Sequence, residues 1–398
     1  MSTPESTENH PNILLRLWRD KDTRSILIQI VTMVIVFTFL GFIIHNVLIN
    51  LEIAGKDFSF GFLNYPAGYD ITFQPFIPFS PTDSHFDAGI IGILNTLLVA
   101  VSGVVIATIL GFTMGILRLS NSWMINKIVY VFLEFSRNVP VLLHILFVYS
   151  IFLYTFPIPK KAINISDSVF ITNRGFFIPA PVFEDGFGYV WIALLAAITI
   201  VVLFVRWERK NQYATGESYP VISISIAIFV GLPLIVFFIS GAPVVWEMPV
   251  FERFNFKGGT AIKPEYIALT FALSYYTACF IAEIVRAGVL AISHGQTEAA
   301  LALGLPPNRT LQLVVIPQAL RVIIPPLASQ YLNLTKNSSL AIAIGYMDVV
   351  ATIGGISLMQ TGKEMETMII VLLVYLSFSL IISAFMNWFN RRMALVER

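Results

Sequence analysis

Glu298, Ala299 and Ala300, then Gly304, then Val314, Ile316 and Pro317, stand at fixed spacing in a polar segment flanked by strongly apolar ones. Their chemistry is that of a contact surface, not of bond making. A carboxylate near a helix start suits the positive end of the helix dipole, and alanine and glycine let another backbone approach closely. The segment from His294 to Ile316 divides into two short helical pieces. Thr297 is placed to cap the first, with Glu298 in its first turn. Gly304 stops that piece, and Pro306-Pro307 forces a turn. Asn308 is placed to cap the second piece, and Pro317 ends or kinks it. The expected product is a compact helical knob that a cleft in another protein can seat. A loop lying on its own membrane domain is the plainer alternative.

Catalytic chemistry finds no footing elsewhere. The five histidines are scattered without metal-ligand spacing, and no nucleophile–base constellation stands out. Gly362-Lys363-Glu364 comes nearest to a phosphate-binding loop, but Ser357 stands where the first glycine belongs and Glu364 replaces the required Ser or Thr. No cofactor, metal or ATP chemistry is therefore expected on this chain. Polar groups inside apolar runs are costly and default to functional candidates. Glu283 and Arg286, three apart on one helix, form either a simple ion pair or part of a pathway or gate. Lys336 either snorkels to an interface or, with Asn337, Ser338 and Ser339, meets a substrate. Glu134 and Arg137 are placed to pair at the membrane surface.

These residues need elements to hold them. The chain has 398 residues, 56% hydrophobic and only 12% charged, whereas a soluble domain carries about 25% charged residues. A bilayer span takes roughly 20 mostly apolar residues. Candidate spans are Ser25–Ile49, Gly89–Leu117, Val139–Phe156, Gly188–Val205, Val221–Ser240, Tyr266–Val285, Val322–Gly345 and Met368–Trp388. The fold class is thus an all-α polytopic membrane protein with about eight transmembrane helices. Arg16, Arg19, Lys21 and Arg24 at one end and Arg391, Arg392 and Arg398 at the other put both termini in the cytoplasm. The segment from Arg286 to Arg321 then falls on the cytoplasmic side as well. The first span is read as retained, not as a cleaved signal. The outside segments are rich in aromatics and Pro, as in Phe58 to Phe62 and Phe73 to Pro78; they serve either as interfacial anchors or as a docking surface. Cys279, the only cysteine, is read as a small buried hydrophobe.

The spacing Glu298-Ala299-Ala300, Gly304, Val314, Ile316, Pro317 resembles the coupling motif of the membrane subunits of bacterial ATP-binding-cassette importers. Phe280 to Gly288 resembles the span that precedes this motif in the polar amino-acid permeases. Phe135-Ser136-Arg137-Asn138-Val139-Pro140 and Lys336-Asn337-Ser338-Ser339-Leu340 resemble two further elements of that family. Ordinary members have about five spans; this chain carries roughly a hundred further residues and about two further spans before the motif, which resembles the long subgroup of general L-amino-acid permeases.

The resemblance implies a type I importer transmembrane domain over residues 89–390, with an inserted region at about 157–262 and a coupling loop at 294–321. Residues 1–24 and 391–398 form cytoplasmic tails, and 25–88 hold the first span and a periplasmic segment. It implies a permease in a bacterial inner membrane that takes amino acids from a periplasmic binding protein. It pairs with a second, non-identical permease and is driven by two ATP-binding subunits. It makes Glu283, Lys336, Asn337, Ser338 and Ser339 pathway candidates, and Arg137, Asn138, Pro140 and Arg286 gate or interface candidates. The family often has Asp where this chain has Asn337, so a broad or neutral-to-acidic substrate range is expected. A stand-alone ion-coupled secondary transporter is the alternative, and it calls for paired intramembrane acids or repeated broken helices.

Overall fold

In the computed structural model the described residues are 21–55, 57–216 and 219–393; Arg16, Arg19 and Arg398 lie outside them. Seven helices among these residues are long and apolar enough to cross a membrane, and a bent pair makes an eighth. Every expected span has its counterpart.

Helix α1 (Lys21–Ile53) is apolar on all sides and buries nothing against the rest of the chain. Helix α2 (His85–Leu117) starts at a capping box: the Asp87 backbone N–H donates to Ser84 Oγ at 3.2 Å, and the Ser84 N–H donates to the Asp87 carboxylate at 3.1 Å. Helix α3 (Trp123–Asn138) and helix α4 (Val141–Thr155) meet at a bend of 106°. Pro140 stands at that bend, where its fixed φ and missing N–H prevent a continuous helix. The sequence placed only the second half of this pair, because Asn126, Lys127, Glu134 and Arg137 dilute the apolar signal of α3.

Helices α5 (Phe187–Thr215) and α6 (Val221–Ile239) form a hairpin that packs mainly on itself. Helix α7 (Pro264–Leu290) is the axis of the bundle, in contact with α2, α3, α4 and the long helix that follows the knob. Small residues at every fourth position of α2 permit its closest contact. A Cβ on Gly111 would stand 2.6 Å from Ile281 Cβ, and one on Gly115 would stand 2.7 Å from Val285 Cβ. Ala107 lies in the same row, fully buried. This is the small-residue packing by which membrane helices gain van der Waals contact where lipid offers no hydrophobic drive.

The outside segments hold eight short strands, β1 (Ile163–Ile165), β2 (Val169–Thr172), β3 (Gly175–Ile178), β4 (Ala180–Phe183), β5 (Val244–Glu247), β6 (Val250–Glu252), β7 (Asn255–Lys257) and β8 (Thr260–Ile262). The order β1-β2-β3-β8 joins the two ends of the α5–α6 insertion in one antiparallel sheet, with Phe177 opposite Ala261. Phe256 stacks 4.4 Å from Phe170 and 4.9 Å from Phe177 beneath it. Strands of three or four residues are too short to show alternation in sequence, which is why they read as aromatic loops. A second outer cap forms where Tyr69, His85 and Ser357 meet: His85 Nδ1 lies 2.8 Å from Ser357 Oγ, and the Tyr69 hydroxyl lies 3.4 Å from it. Burial raises the Tyr69 pKa there.

Candidate functional site

Two sites emerge, a helical knob and a polar pocket, and one pair of helices joins them. The knob is helix α8 (His294–Ala302), between α7 and helix α9 (Pro307–Thr310). The expected stop at Gly304 is present, at φ +82°. The Gly304 N–H donates to Leu301 O at 2.9 Å and the Leu305 N–H to Ala300 O at 3.2 Å, the paired bonds of a Schellman ending. The caps differ from expectation. Ser293, not Thr297, is the N-cap of α8, so Glu298 lies beyond the first turn and pairs with His294 at 3.0 Å. Pro306, not Asn308, precedes α9, because Pro307 with its fixed φ already serves at the first helical position. Ala300 is buried, whereas Ala299 is exposed and Leu303 is 84% exposed. The knob therefore offers a bulky apolar tip besides its small residues. A groove of about 740 Å³ lies beside it, lined by Leu290, Thr297, Leu301 and Leu311 among others.

Pro317 neither ends nor sharply breaks the second piece. Residues Leu311–Val315 take a π turn, and helix α10 (Ile316–Asn337) continues directly, so Pro307–Ile344 reads as one span. A proline lacks the N–H and crowds the carbonyl four residues back; the wider π turn accommodates it. Val314 lies half-buried within the turn and Ile316, 41% exposed, at its end.

The pocket lies between α7 and α10. It has about 150 Å³ and is lined by Tyr276, Thr277, Phe280, Gln330, Asn333 and Asn337. Of the expected pathway residues, only Asn337 lines it. The side chains of Gln330, Asn333 and Asn337 form no hydrogen bond among the described residues. Ser338 is buried and donates to Thr335 O at 2.7 Å; Ser339 donates to Lys336 O at 2.7 Å. Both hydroxyls are thus engaged in closing α10, where a 3₁₀ turn follows over Ser338–Ile344. Lys336 is exposed beside them. The pocket residues were legible in principle. Gln330, Asn333 and Asn337 form a polar stripe at helical spacing in an apolar span, but a search for charged groups passes over neutral amides.

On the knob side of this pocket stand two ion pairs. Arg286 pairs with Glu283 at 2.5 Å and Arg137 with Glu134 at 3.3 Å. The Arg137 guanidinium also lies over the Phe280 ring, 5.4 Å from its centroid. Phe280 is itself a pocket wall, so Arg137 touches the pocket through it. Asn138 donates to the Glu134 backbone O at 2.7 Å, within the last turn of α3. No cluster of metal-ligating side chains occurs among the described residues.

Residues 216–395 match the family described as binding-protein-dependent transport system inner membrane component. The general L-amino acid transport system permease protein AapQ of Rhizobium johnstonii is 49% identical over 95% of this chain and 94% of its own. The putative amino-acid ABC transporter permease protein YhdX of Escherichia coli is 44% identical, covering 100% and 99%. The glutamate/glutamine/aspartate/asparagine transport system permease protein BztB of Rhodobacter capsulatus is 46% identical, covering 95% and 96%. All three are named as parts of transport systems, against the stand-alone alternative. With a helical knob and a polar pocket on a type I importer fold, the chain belongs to the amino-acid ABC-transporter permease family, as a membrane-spanning transport subunit and not an enzyme.

Proposed function

We propose that this permease moves neutral and acidic L-amino acids through the pocket between α7 and α10. The observation that carries this reading is the pocket's chemistry. Amides and hydroxyls from Thr277, Gln330, Asn333 and Asn337 line it with no carboxylate among them. Amides donate and accept, so they can meet both the ammonium and the carboxylate of a zwitterion without selecting one side chain. A cationic side chain finds no anion there, whereas Lys336 nearby favours an acidic one. The substrates named for BztB fall in the same range.

The coupling follows from connectivity. Helix α7 supplies Tyr276, Thr277 and Phe280 to the pocket and ends at the knob; α10 supplies Gln330, Asn333 and Asn337 and starts from the knob's other side. A displacement of α8 therefore acts on both pocket walls. We assign that displacement to two ATP-binding subunits that seat the knob, so ATP is bound by the partner and no cofactor by this chain. A second, non-identical permease completes the path, a periplasmic binding protein delivers the amino acid, and the assembly sits in a bacterial inner membrane. Arg137, Asn138, Pro140, Glu283 and Arg286 form the cytoplasmic gate, with Arg137 bearing on Phe280. Alternating access then exposes the pocket to one side at a time.

Uptake by the reconstituted assembly tests this reading. Glutamate, glutamine and small neutral amino acids are expected to compete with one another. Competition by arginine and lysine alone would overturn the substrate range. Uptake that persists without the ATPase but collapses with the proton gradient would overturn the coupling.

A further inference from the structure

One ring on α3 carries two cations. The Arg118 guanidinium lies 4.8 Å from the centroid of Tyr130 and the Lys127 ammonium lies 5.3 Å from it. Among the described residues neither forms an ion pair with a carboxylate. Arg118 hydrogen-bonds the Asn126 side chain, which returns a bond to Arg118 O at 2.6 Å, and its Nε is buried without a partner. Asn126 thus fixes the guanidinium in place but brings no negative charge; the Glu283 carboxylate, already paired with Arg286, acts on Arg118 only from beyond ion-pair distance. Two like charges held on one ring repel each other and call for an anion.

An apolar trough starts at the same point. It has about 470 Å³ and is lined by Lys127, Ile128, Val131, Phe132 and Phe135. Three of these side chains are more than half exposed: Ile128 at 62%, Val131 at 55% and Phe135 at 67%. Helix α3 presents two faces. Asn126, Tyr130, Leu133 and Arg137 share one, where Leu133 packs on Cys279 and Ala282 of α7, and the trough forms the other. The trough has a direction. Asn126 sits beside Arg118 at the cytoplasmic end of α2, whereas Arg137, farther along α3, lies over Phe280, well inside α7. From Ile128 to Phe135 it runs about 10 Å at 1.5 Å per helical residue.

We propose that α3 holds an anionic phospholipid of the cytoplasmic leaflet, its phosphate between Arg118 and Lys127 and an acyl chain in the trough. Cations at the surface end and apolar walls toward the bilayer interior match a headgroup and its tail in order and direction. Free phosphate matches only the head. A second permease packed on this face through apolar residues would bury two cations without an anion, which is costly.

The test uses the assembled transporter, exchanged into equimolar phosphatidylglycerol and phosphatidylcholine and then stripped with detergent. Retained lipid is measured by mass spectrometry. Wild type is expected to retain phosphatidylglycerol over phosphatidylcholine. Lys127→Gln, at an exposed position, is expected to lower that preference about fivefold, and adding Arg118→Gln by about fivefold more. Lys127→Arg keeps the preference, and Phe135→Ser lowers retention of both lipids. Equal retention of both lipids by wild type would overturn the proposal, as would full preference in Lys127→Gln with normal ATPase co-purification. Displacement of the lipid by excess inorganic phosphate would reduce the site to an ion site. Cross-linking of Phe135→Cys to the second permease in membranes would make the face a protein interface.

Discussion

Gly304 separates two ways in which the knob can fail. Its φ of +82° lies in the left-handed region, and a Cβ built there meets nothing within 4 Å. The cost of a side chain in this chain alone is therefore backbone strain, not collision. For an L-residue that strain is about 1–2 kcal/mol, a factor of roughly 5 to 30 in the population of the native turn. Asparagine tolerates this region best, alanine pays the ordinary cost, and a β-branched residue pays most. The expected order of ATPase co-purification and uptake is Gly304 > Gly304→Asn > Gly304→Ala > Gly304→Val, with membrane insertion unchanged in all four. Wild-type co-purification and uptake in Gly304→Val would refute the idea that this turn shapes a seated knob. If Gly304→Asn were as damaging as Gly304→Val, the cause would be contact with the partner's cleft and the backbone argument would be wrong.

Other expectations follow from the bundle and the pocket. Asn337→Asp should add arginine and lysine to the amino acids that compete for uptake, because it gives the pocket a carboxylate; an unchanged competition profile counts against the pocket as the substrate site. Glu283→Gln should move the melting temperature little, since a half-exposed pair contributes at most about 1 kcal/mol, yet it should lower uptake per ATP hydrolysed, and the swap Glu283→Arg with Arg286→Glu should restore part of that ratio. A melting loss as large as the uptake loss would make the pair structural only. Gly111→Ala should cost about 1–3 kcal/mol of stability, because its Cβ meets Ile281 Cβ at 2.6 Å and Ala278 O at 3.1 Å. Gly41→Ala on α1, where nothing lies within 4 Å, is the matched control and should not lower the melting temperature.

The spans were legible because each is an apolar run of the length a bilayer demands, and the knob was legible as a polar helical insert between two of them. What escaped the sequence has physical causes. Helix α3 hides because its polar face averages away its apolar one. The caps at Thr297 and Asn308 were misplaced because a favourable side chain marks a possible cap, while Ser293 and Pro307 set the actual start through backbone geometry. Pro317 was read as a breaker because a π turn, invisible in residue types, absorbs it. The pocket was half seen: Asn337 was picked out by motif, but Gln330, Asn333 and Thr277 come into view only when α7 and α10 are set side by side.

The row Gly103, Ala107, Gly111 and Gly115 has a consequence for motion. At Gly111 and Gly115 the α2–α7 contact leaves no room for one added methyl group. A joint so close behaves as a welded seam: sliding along it would drive Ile281 and Val285 into the neighbouring backbone. Helices α2 and α7 must therefore travel as a single strut. The compliance that transport demands falls to places where the backbone already departs from a regular helix, among them the elbow at Pro140 and the widened turn before Pro317.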